Sequence, residues 1–269
     1  MTDPTVACIM LTRDRPQMAR RAVECFRRQT YGPKVLLIYS AEDFQMKDNR
    51  ENEWIVRQKP ADRPIGNLRN EANAITGGVP DILCHWDDDD WSHPNRIAEQ
   101  VALLQSSGAD AVGYSDLLFW DTRPRLINPE LRDMDSFEPA NEAWLYSRPT
   151  RLNVPGSTLC YWRKTWESKH FPHLPERGNP QSQGEDIAWQ AGLKVVAISS
   201  VNEFVYLHPD GTFAGVWDQS VEYDDTEPRI IASIHGGNTM AFGYANVGHV
   251  EEFKRAAIWD DYCERVMKL

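Results

Sequence analysis

A short apolar run that leads directly into four aspartates places the strongest constraint on how this chain folds. Residues 82–86 form the run, and Asp87 to Asp90 follow it without a break. An apolar run of this length between polar residues predicts a buried strand, and Ser92 and Pro94 then indicate the start of a helix. Adjacent carboxylates at the end of a buried strand repel one another unless a cation lies among them. A divalent metal that also holds ligand phosphates fits this pattern, and a solvated acidic turn is the simpler interpretation.

Alternating strands and helices surround the acidic run in the first 113 residues. Apolar stretches predict strands over 6–11, 35–38 and 109–113, and helical patterns begin near Pro16, Gly66 and Pro94. At the first helix, Asp14 and Gln17 have the spacing of a capping box. The arginines of that helix are expected to face water; they are Arg20, Arg21, Arg27 and Arg28. The alternation predicts an α/β fold whose opening strand, helix and strand form a right-handed βαβ unit.

The second half is less regular. We expect a strand over 156–162, a loop over 173–183, a helix that starts at Gly184 with two acids in its first turn, and short strands over 195–199 and 203–207. The tail over 250–266 is predicted to be helical. Residues 114–152 mix aromatic residues with prolines and charges, and their pattern favours no element.

Composition excludes several classes of protein. The 269 residues carry a formal net charge of -11, which disfavours nonspecific binding to nucleic acid or to anionic membranes. The five cysteines are scattered and include no Cys-x-x-Cys pair, which is typical of reduced thiols in the cytoplasm. No apolar run reaches membrane-spanning length, and the first residues have no signal-peptide character. We therefore expect a cytoplasmic protein without stable membrane insertion; the sequence indicates no oligomeric state.

Four motifs, in order along the chain, resemble those of the inverting family 2 glycosyltransferases, which have the GT-A fold. Residues 9–16 resemble the family's opening strand and turn, and Gly66 to Asn70 resemble its Gly-x-x-x-Arg-Asn helix. Trp86 to Pro94 resemble its aspartate motif, and Gly184 to Asp186 its Glu-Asp motif. Each match alone is weak, and four in the right order are jointly fairly specific. The resemblance covers roughly residues 6–240.

The resemblance implies a GT-A (Rossmann-like) α/β fold, with a mixed, mostly parallel sheet flanked by helices, an irregular acceptor-side half and a C-terminal helix. It implies a single domain over 1–269, with a nucleotide-binding half at 1–113, an acceptor-side half at 114–247 and the C-terminal helix at 248–269. The implied reaction is metal-dependent, inverting transfer of a sugar from a nucleoside-diphosphate donor to an acceptor hydroxyl. Where the family has an Asp-Asp pair after its second strand, this chain has Ser40 and Ala41, so the carboxylate that helps hold the base is missing or displaced to Glu42 or Asp43. A UDP-sugar is therefore only the default donor.

The family's roles can be carried over to the acidic run. We expect Asp89 to bind Mn²⁺ or Mg²⁺, and Asp87 to bind the metal through water or to contact the ribose. The metal would neutralise the charge that grows on the departing nucleoside diphosphate. If the strand continues, Asp88 and Asp90 alternate with these two and point towards the fold. Asp88 also belongs with the expected donor-binding residues, and Asp90 could cap the following helix.

Glu185 and Asp186 are the expected catalytic residues. By resemblance, Asp186 is the general base that deprotonates the acceptor hydroxyl, and Glu185 orients the acceptor or the backbone. The competing interpretation is structural, because a helix dipole alone favours acids in a first turn.

Other residues are candidates for binding the donor or the metal. Thr12 and Arg13 follow the first strand, where open α/β sheets bind ligands, and Arg69 is expected to approach the base or the phosphates unless it forms an ordinary surface salt bridge. Gly156 could shape the sugar pocket, and Glu42 could hold the nucleotide. His208 or His235 could supply a nitrogen to the metal, although a packed or surface histidine is equally expected for each. Three tryptophans are candidates for stacking on an acceptor ring or are simply core residues: Trp162, Trp166 and Trp189.

Two alternatives to the transferase stay open. A nucleotidyltransferase uses similar acidic metal sites, but it normally has a glycine-rich loop with a basic residue after the first strand, and residues 11–16 contain no glycine. A non-catalytic nucleotide- or carbohydrate-binding protein on the same fold is the other. The sequence does not distinguish among four kinds of acceptor: a saccharide, a lipid-linked glycan, a protein side chain and a modified nucleic-acid base.

Overall fold

The computed structural model describes residues 2–41, 44–46, 48–57, 64–126, 137–147, 153–173, 184–198, 204–207, 213–217, 227–235 and 253–268. Glu42 and His208, both singled out in the sequence, lie outside these ranges. So does most of the predicted loop over 173–183.

One large sheet organises the described part of the chain. Its strands are β1 (Val6–Thr12), β2 (Lys34–Ser40), β3 (Glu53–Arg57), β4 (Ile82–His85), β6 (Ala111–Tyr114), β11 (Cys160–Trp162), β12 (Val195–Ile198), β13 (Phe204–Leu207) and β14 (Phe213–Trp217). They are ordered β14-β13-β12-β6-β11-β4-β1-β2-β3. Strands β11 and β13 run against the other seven. The prediction of a mixed, mostly parallel sheet is confirmed.

Helices cover both faces of this sheet. They are α1 (Pro16–Arg27), α2 (Ile65–Ile75), α3 (Arg96–Ser107), α4 (Arg163–Ser168), α5 (Glu185–Gln190) and α6 (Asp260–Met267). Alternate residues of β1 contribute to two cores: Cys8 and Met10 pack with α1, α3 and α6, whereas Ala7 and Ile9 pack with α2, α4 and α5. A strand buried on both faces must be apolar throughout, which explains the uninterrupted run in the sequence. None of the helices described here combines the length and the hydropathy that crossing a bilayer requires.

A second sheet packs beside the first. It contains strands from residues 114–152, the stretch for which the sequence favoured no element. Its strands are β5 (Trp91–Ser92), β7 (Asp116–Asp121), β10 (Glu142–Ser147), β15 (Ile230–Ile234) and β16 (Phe253–Arg255), in the order β16-β10-β7-β15-β5. Strands β8 (Pro124–Leu126) and β9 (Phe137–Pro139) form a separate antiparallel pair. Strand β5 follows the acidic run directly, so this run connects the two sheets.

Three local predictions are wrong. Helix α1 has Arg15 as its N-cap residue and no side-chain cap, because Asp14 has a φ of 57° and lies one residue too early. Residues Gly156–Thr158 form a 3₁₀ turn, and the predicted strand begins only at Cys160. The C-terminal helix begins at Asp260, because Phe253–Arg255 pairs with β10 as a strand.

Two arginines of α1 do not face water as predicted. Arg27 donates to both carboxylate oxygens of the buried Glu53, at 2.7 and 2.8 Å. Arg21 reaches the acidic run, as described below. The helical periodicity correctly placed both arginines on the polar side of α1. On that side, however, they meet hydrogen-bond acceptors from distant parts of the chain and not solvent.

Candidate functional site

The acidic run forms a turn beyond the end of β4. The strand ends at His85, and Asp88 and Asp89 form the turn. Asp87, Asp89 and Asp90 each bring a carboxylate oxygen within 4.8 Å of the others. The predicted alternation is therefore wrong for Asp90, because the extended backbone on which it depends stops before Asp87.

The side chains of Arg15 and His235, from elsewhere in the chain, contact carboxylates of the run. Arg15 pairs with Asp88 at 2.8 Å and with Asp89 Oδ2 at 2.6 Å. His235, at the end of β15, places Nε2 3.1 Å from the same Oδ2 of Asp89. Sequence reasoning proposed His235 as a metal ligand; the structure brings it to the expected aspartate.

Burial and mutual repulsion set the ionisation of the four aspartates. Burial is the main reason that the pKa values of Asp87 and Asp90 are raised, and the charge of Asp89 raises both further. Burial raises the pKa of Asp88 to about 7, against the opposing charge of Arg15. Burial also disfavours the charged form of Asp89, but the hydrogen bond from His235 and the charge of Arg15 outweigh it and lower the pKa. The surroundings therefore favour the charged form of Asp89 and disfavour the charged forms of the other three aspartates.

The turn is held by hydrogen bonds from two other elements, α1 and β15. Arg21 Nη2 donates to the carbonyl of Asp89 at 2.5 Å, and its Nη1 donates to the carbonyl of Met267 at 2.6 Å. Ser233 Oγ also donates to the carbonyl of Asp89, at 2.5 Å, and its N–H donates to Asp90 Oδ1 at 3.3 Å. Helix α1 and strand β15 thus hold the turn directly, and the end of α6 holds the Arg21 side chain.

Glu185 and Asp186 lie in the first turn of α5, next to Arg69 of α2. Arg69 Nε donates to Glu185 Oε1 at 2.9 Å, and both side chains are largely buried. The charge of Arg69 also acts on Asp87 and Asp186. The charge of Arg69 thus acts on both acidic groups. Its pairing with Glu185 is a buried salt bridge and not the surface one that the sequence left open.

The surroundings of Asp186 make its carboxylate more basic than that of an ordinary aspartate. Burial, followed by the charge of Glu185, raises the pKa of Asp186 to about 6, although Arg69 opposes the shift. A carboxylate with a pKa near 6 accepts a proton more readily than an ordinary aspartate and is still largely ionised at pH 7. Asp186 is thus better suited than Glu185, which is engaged by Arg69, to act as a base.

Gly156 contacts Asp186 and is held by buried side chains. A Cβ atom at Gly156 would lie 2.5 Å from Asp186 Oδ2, so the carboxylate packs against bare backbone. His85 Nδ1 donates to the carbonyl of Gly156 at 2.7 Å. Arg96 Nη2 donates to the carbonyls of His85 and Ser157 at 2.8 and 2.7 Å. The turn that was expected to shape a sugar pocket is therefore tied both to the end of β4 and to Asp186.

The described residues fit a divalent cation. Three clustered carboxylates offer oxygen ligands, which Mn²⁺ and Mg²⁺ prefer. Asp88 is almost fully buried, and its Oδ2 has no hydrogen-bond partner in the described part of the chain, which leaves a buried charge only partly compensated. Asp87, Asp89 and Asp90 would hold the ion, with His235 beside them.

The other residues singled out in the sequence differ in where they lie: some are near the acidic run and others are in the core. Thr12 is buried at the end of β1, and its hydroxyl favours the charged form of Asp88. Arg13 follows it and is exposed. Trp189 is fully buried and stacks on Phe171 at 4.8 Å, and Trp166 is buried with a hydrogen bond to Asn70, so both are core residues and not acceptor platforms. Trp162 is only partly buried.

Sequence reasoning missed three residues of the site: Arg15, Arg21 and Asp90. Arg15 belonged to the opening motif and Asp90 to the acidic run, so each had a signal. Arg21 had none, because its position on the polar side of α1 is typical of a solvated arginine.

Comparison with known proteins gives matches in structure alone. No family model matches the sequence, and no curated protein matches it. TarS (residues 1–349) of S. aureus in complex with UDP-GlcNAc matches with a TM-score of 0.48 and 12% identity, over 90% of this chain and 62% of the TarS chain. The mannosyltransferase PcManGT from Pyrobaculum calidifontis in complex with GDP-Man and Mn²⁺ matches with a TM-score of 0.49 and 12% identity, over 74% of this chain and 56% of that chain. This chain thus corresponds to less than two thirds of either one.

Proposed function

We propose that this protein is a metal-dependent inverting glycosyltransferase that moves a sugar from a nucleoside-diphosphate donor to an acceptor hydroxyl. One observation carries the proposal: buried Arg69 pairs with Glu185 at 2.9 Å while its charge acts on both Asp87 and Asp186. Arg69 thus interacts with two acidic groups that lie about a hundred residues apart in the sequence, which supports their belonging to one site. A transfer site needs such a pairing, because a leaving group and an attacking group must meet at one carbon atom.

The acidic run would serve the leaving group. A bound Mn²⁺ or Mg²⁺ supplies electrostatic stabilisation of the departing diphosphate. Asp87, Asp89 and Asp90 hold that ion by their clustered oxygens, and Arg21 and Ser233 fix the backbone from which Asp89 projects. Burial and the charge of Asp89 disfavour the charged forms of Asp87 and Asp90, and a bound cation would offset this cost.

Asp186 would serve the attacking group. Its carboxylate takes the proton of the acceptor hydroxyl as the oxygen attacks the anomeric carbon. One displacement from the face opposite the leaving group inverts the configuration, so this single base suffices. Glu185 pairs with Arg69 and orients the acceptor or the backbone, and Gly156 leaves room for the Asp186 carboxylate.

The proposal also covers the nucleotide-sugar donor and the cellular compartment of the reaction. A UDP-sugar is the default donor, and GDP-sugars belong in the same screen because the usual Asp-Asp pair after the second strand is absent here. We place the reaction in the cytoplasm, because all five cysteines are free, buried thiols.

The proposal is tested with a panel of UDP- and GDP-sugars in the presence and absence of Mn²⁺. We expect one donor to raise the melting temperature only with Mn²⁺ and to be hydrolysed slowly when no acceptor is present. The same donor should lose this stabilisation in the Asp89→Asn protein. A panel in which no nucleotide sugar stabilises or reacts would overturn the proposal.

A further inference from the structure

Arg15 already supplies a positive charge where a metal ion is proposed to bind. Its guanidinium contacts Asp88 at 2.8 Å and Asp89 at 2.6 Å, and so bridges two of the four carboxylates. The oxygen of Asp89 that it contacts also contacts His235 Nε2 at 3.1 Å. A divalent ion at Asp89 would therefore find this oxygen engaged and a cation beside it.

Arg15 is also placed so that it can leave. It is the N-cap residue of α1, its side chain forms no cap with the helix, and 24% of that side chain is exposed to solvent. By contrast, Arg21 and Arg69 are held by buried partners from other elements. A guanidinium pairs with phosphate oxygens as well as with carboxylates, through two parallel hydrogen bonds.

We propose that Arg15 is an exchangeable counter-cation, which holds Asp88 and Asp89 in the donor-free protein, competes there with the divalent ion, and moves to the diphosphate when donor and metal bind together. This inference rests on the proposed function. Its consequence is that metal alone binds weakly and that the donor diphosphate strengthens metal binding, partly because it removes Arg15 from Asp89. By linkage, the metal strengthens binding of the diphosphate by the same factor.

The first experiment measures Mn²⁺ binding to the donor-free protein by isothermal titration calorimetry. We expect the Arg15→Gln protein to bind Mn²⁺ about tenfold more tightly than the wild type, because the competing charge is gone. Arg20→Gln is the matched control: Arg20 is exposed on the same helix, and its variant should bind as the wild type does. Unchanged or weaker Mn²⁺ binding by Arg15→Gln would overturn the inference.

The second experiment repeats the titration with saturating UDP or GDP. In the wild type the nucleotide should strengthen Mn²⁺ binding, and in Arg15→Gln this coupling should fall about tenfold, since part of it came from moving Arg15. The nucleotide itself should bind Arg15→Gln more weakly, because a charge-assisted contact to phosphate is lost. Coupling of equal size in the two proteins would overturn the transfer of Arg15 to the diphosphate.

Two results separate this inference from the proposed function. If Mn²⁺ binds the wild type and loses affinity in Asp89→Asn, but Arg15→Gln has no tighter binding, the metal site stands and the role of Arg15 is wrong. If no variant binds Mn²⁺, both fail. If Arg15→Gln does not fold, Arg15→Lys replaces it. An ammonium group cannot bridge both carboxylates with the fixed geometry of a guanidinium, so Mn²⁺ binding should tighten about threefold. Wild-type affinity for Mn²⁺ in Arg15→Lys would count against the inference.

Discussion

Glu185 and Asp186 are adjacent acids whose surroundings give them different properties. Glu185 accepts a hydrogen bond from Arg69, whereas Asp186 is buried against Gly156 and next to the charge of Glu185. The helix dipole favours the charged form of both, so it does not account for the raised pKa of Asp186. This difference supports the different roles proposed for the two acids.

Replacing Asp186 with asparagine should lower the transfer rate by about 10²- to 10⁴-fold, the usual contribution of a general base. Binding of donor and Mn²⁺ should remain close to that of the wild type, since the acidic run is untouched. Steady-state kinetics and calorimetry measure the two effects. Asp261→Asn is the control, because Asp261 is an exposed acid in the first turn of α6 and should leave both unchanged. Near-normal transfer by Asp186→Asn would remove this residue from the role of base.

The same pKa predicts how transfer depends on pH. Asp186 accepts a proton only when ionised, so the rate constant at saturating substrates should rise with pH through a midpoint near 6 and level off above it. The acidic limb should disappear from the residual rate of Asp186→Asn. A pH–rate profile in constant ionic strength measures both. A limb that persists unchanged in the variant would assign the titration to another group.

At the scale of elements, the 3₁₀ turn at 156–158 contacts both the end of β4 and helix α5. Three buried side chains hold it through its carbonyl oxygens: His85 contacts Gly156, Arg96 contacts Ser157, and Gln100 Nε2 donates to Thr158 at 2.6 Å. Two of these residues belong to α3 and one to β4. The turn therefore places Gly156 against Asp186 by means of the same strand that leads into the acidic run.

Gly156→Ala tests this placement. The added methyl group would lie 2.5 Å from Asp186 Oδ2, so either the turn or the carboxylate must move. We expect kcat to fall at least tenfold, with a stability loss of about 1–3 kcal/mol that is typical of overpacking. Gly78→Ala is the control, since a Cβ atom there has no neighbour within 4 Å. Chemical denaturation and kinetics of both variants separate a local displacement from general destabilisation. Wild-type kcat in Gly156→Ala would show that the contact does not position the base.

The sequence predicted the elements whose signals are local. Strand β1 is apolar because both of its faces are buried, and helix α2 was recognised from its own periodicity. The turn at 156–158 was missed because the side chains that hold its carbonyl oxygens come from β4 and α3. Arg21 was missed for the same reason, since its acceptors, the carbonyls of Asp89 and Met267, are distant in the sequence. Local patterns thus placed the acids of the site but not the contacts that orient them.

At the scale of the whole molecule, the site depends on parts of the chain that are remote from one another. Arg21 of α1 and Ser233 of β15 hold the carbonyl of Asp89, and the end of α6 holds Arg21 in turn, so these contacts join parts of almost the full sequence. Because the cation would bind only the assembled arrangement, its binding energy should appear as stability of the folded state.

Saturating Mn²⁺ should therefore stabilise the protein by about 2.7 kcal/mol at a hundredfold excess over its dissociation constant. Differential scanning calorimetry should show a rise of several degrees in the melting temperature, and a chelator should reverse it. In Asp89→Asn the rise should be absent, because one of three clustered carboxylates is lost. An equal rise in wild type and variant would place the bound ion elsewhere.

Five residues, 86–90, separate the end of β4 in the large sheet from the start of β5 in the second sheet. A segment of this length spans at most about 18 Å when fully extended, and here part of it is used to form a turn. A single inserted or deleted residue would therefore have to alter this turn, and with it the grouping of the carboxylates, or shift one of the two strands. The length of this connection should thus be as strictly determined as its composition, and homologous chains that keep the function should vary in length elsewhere.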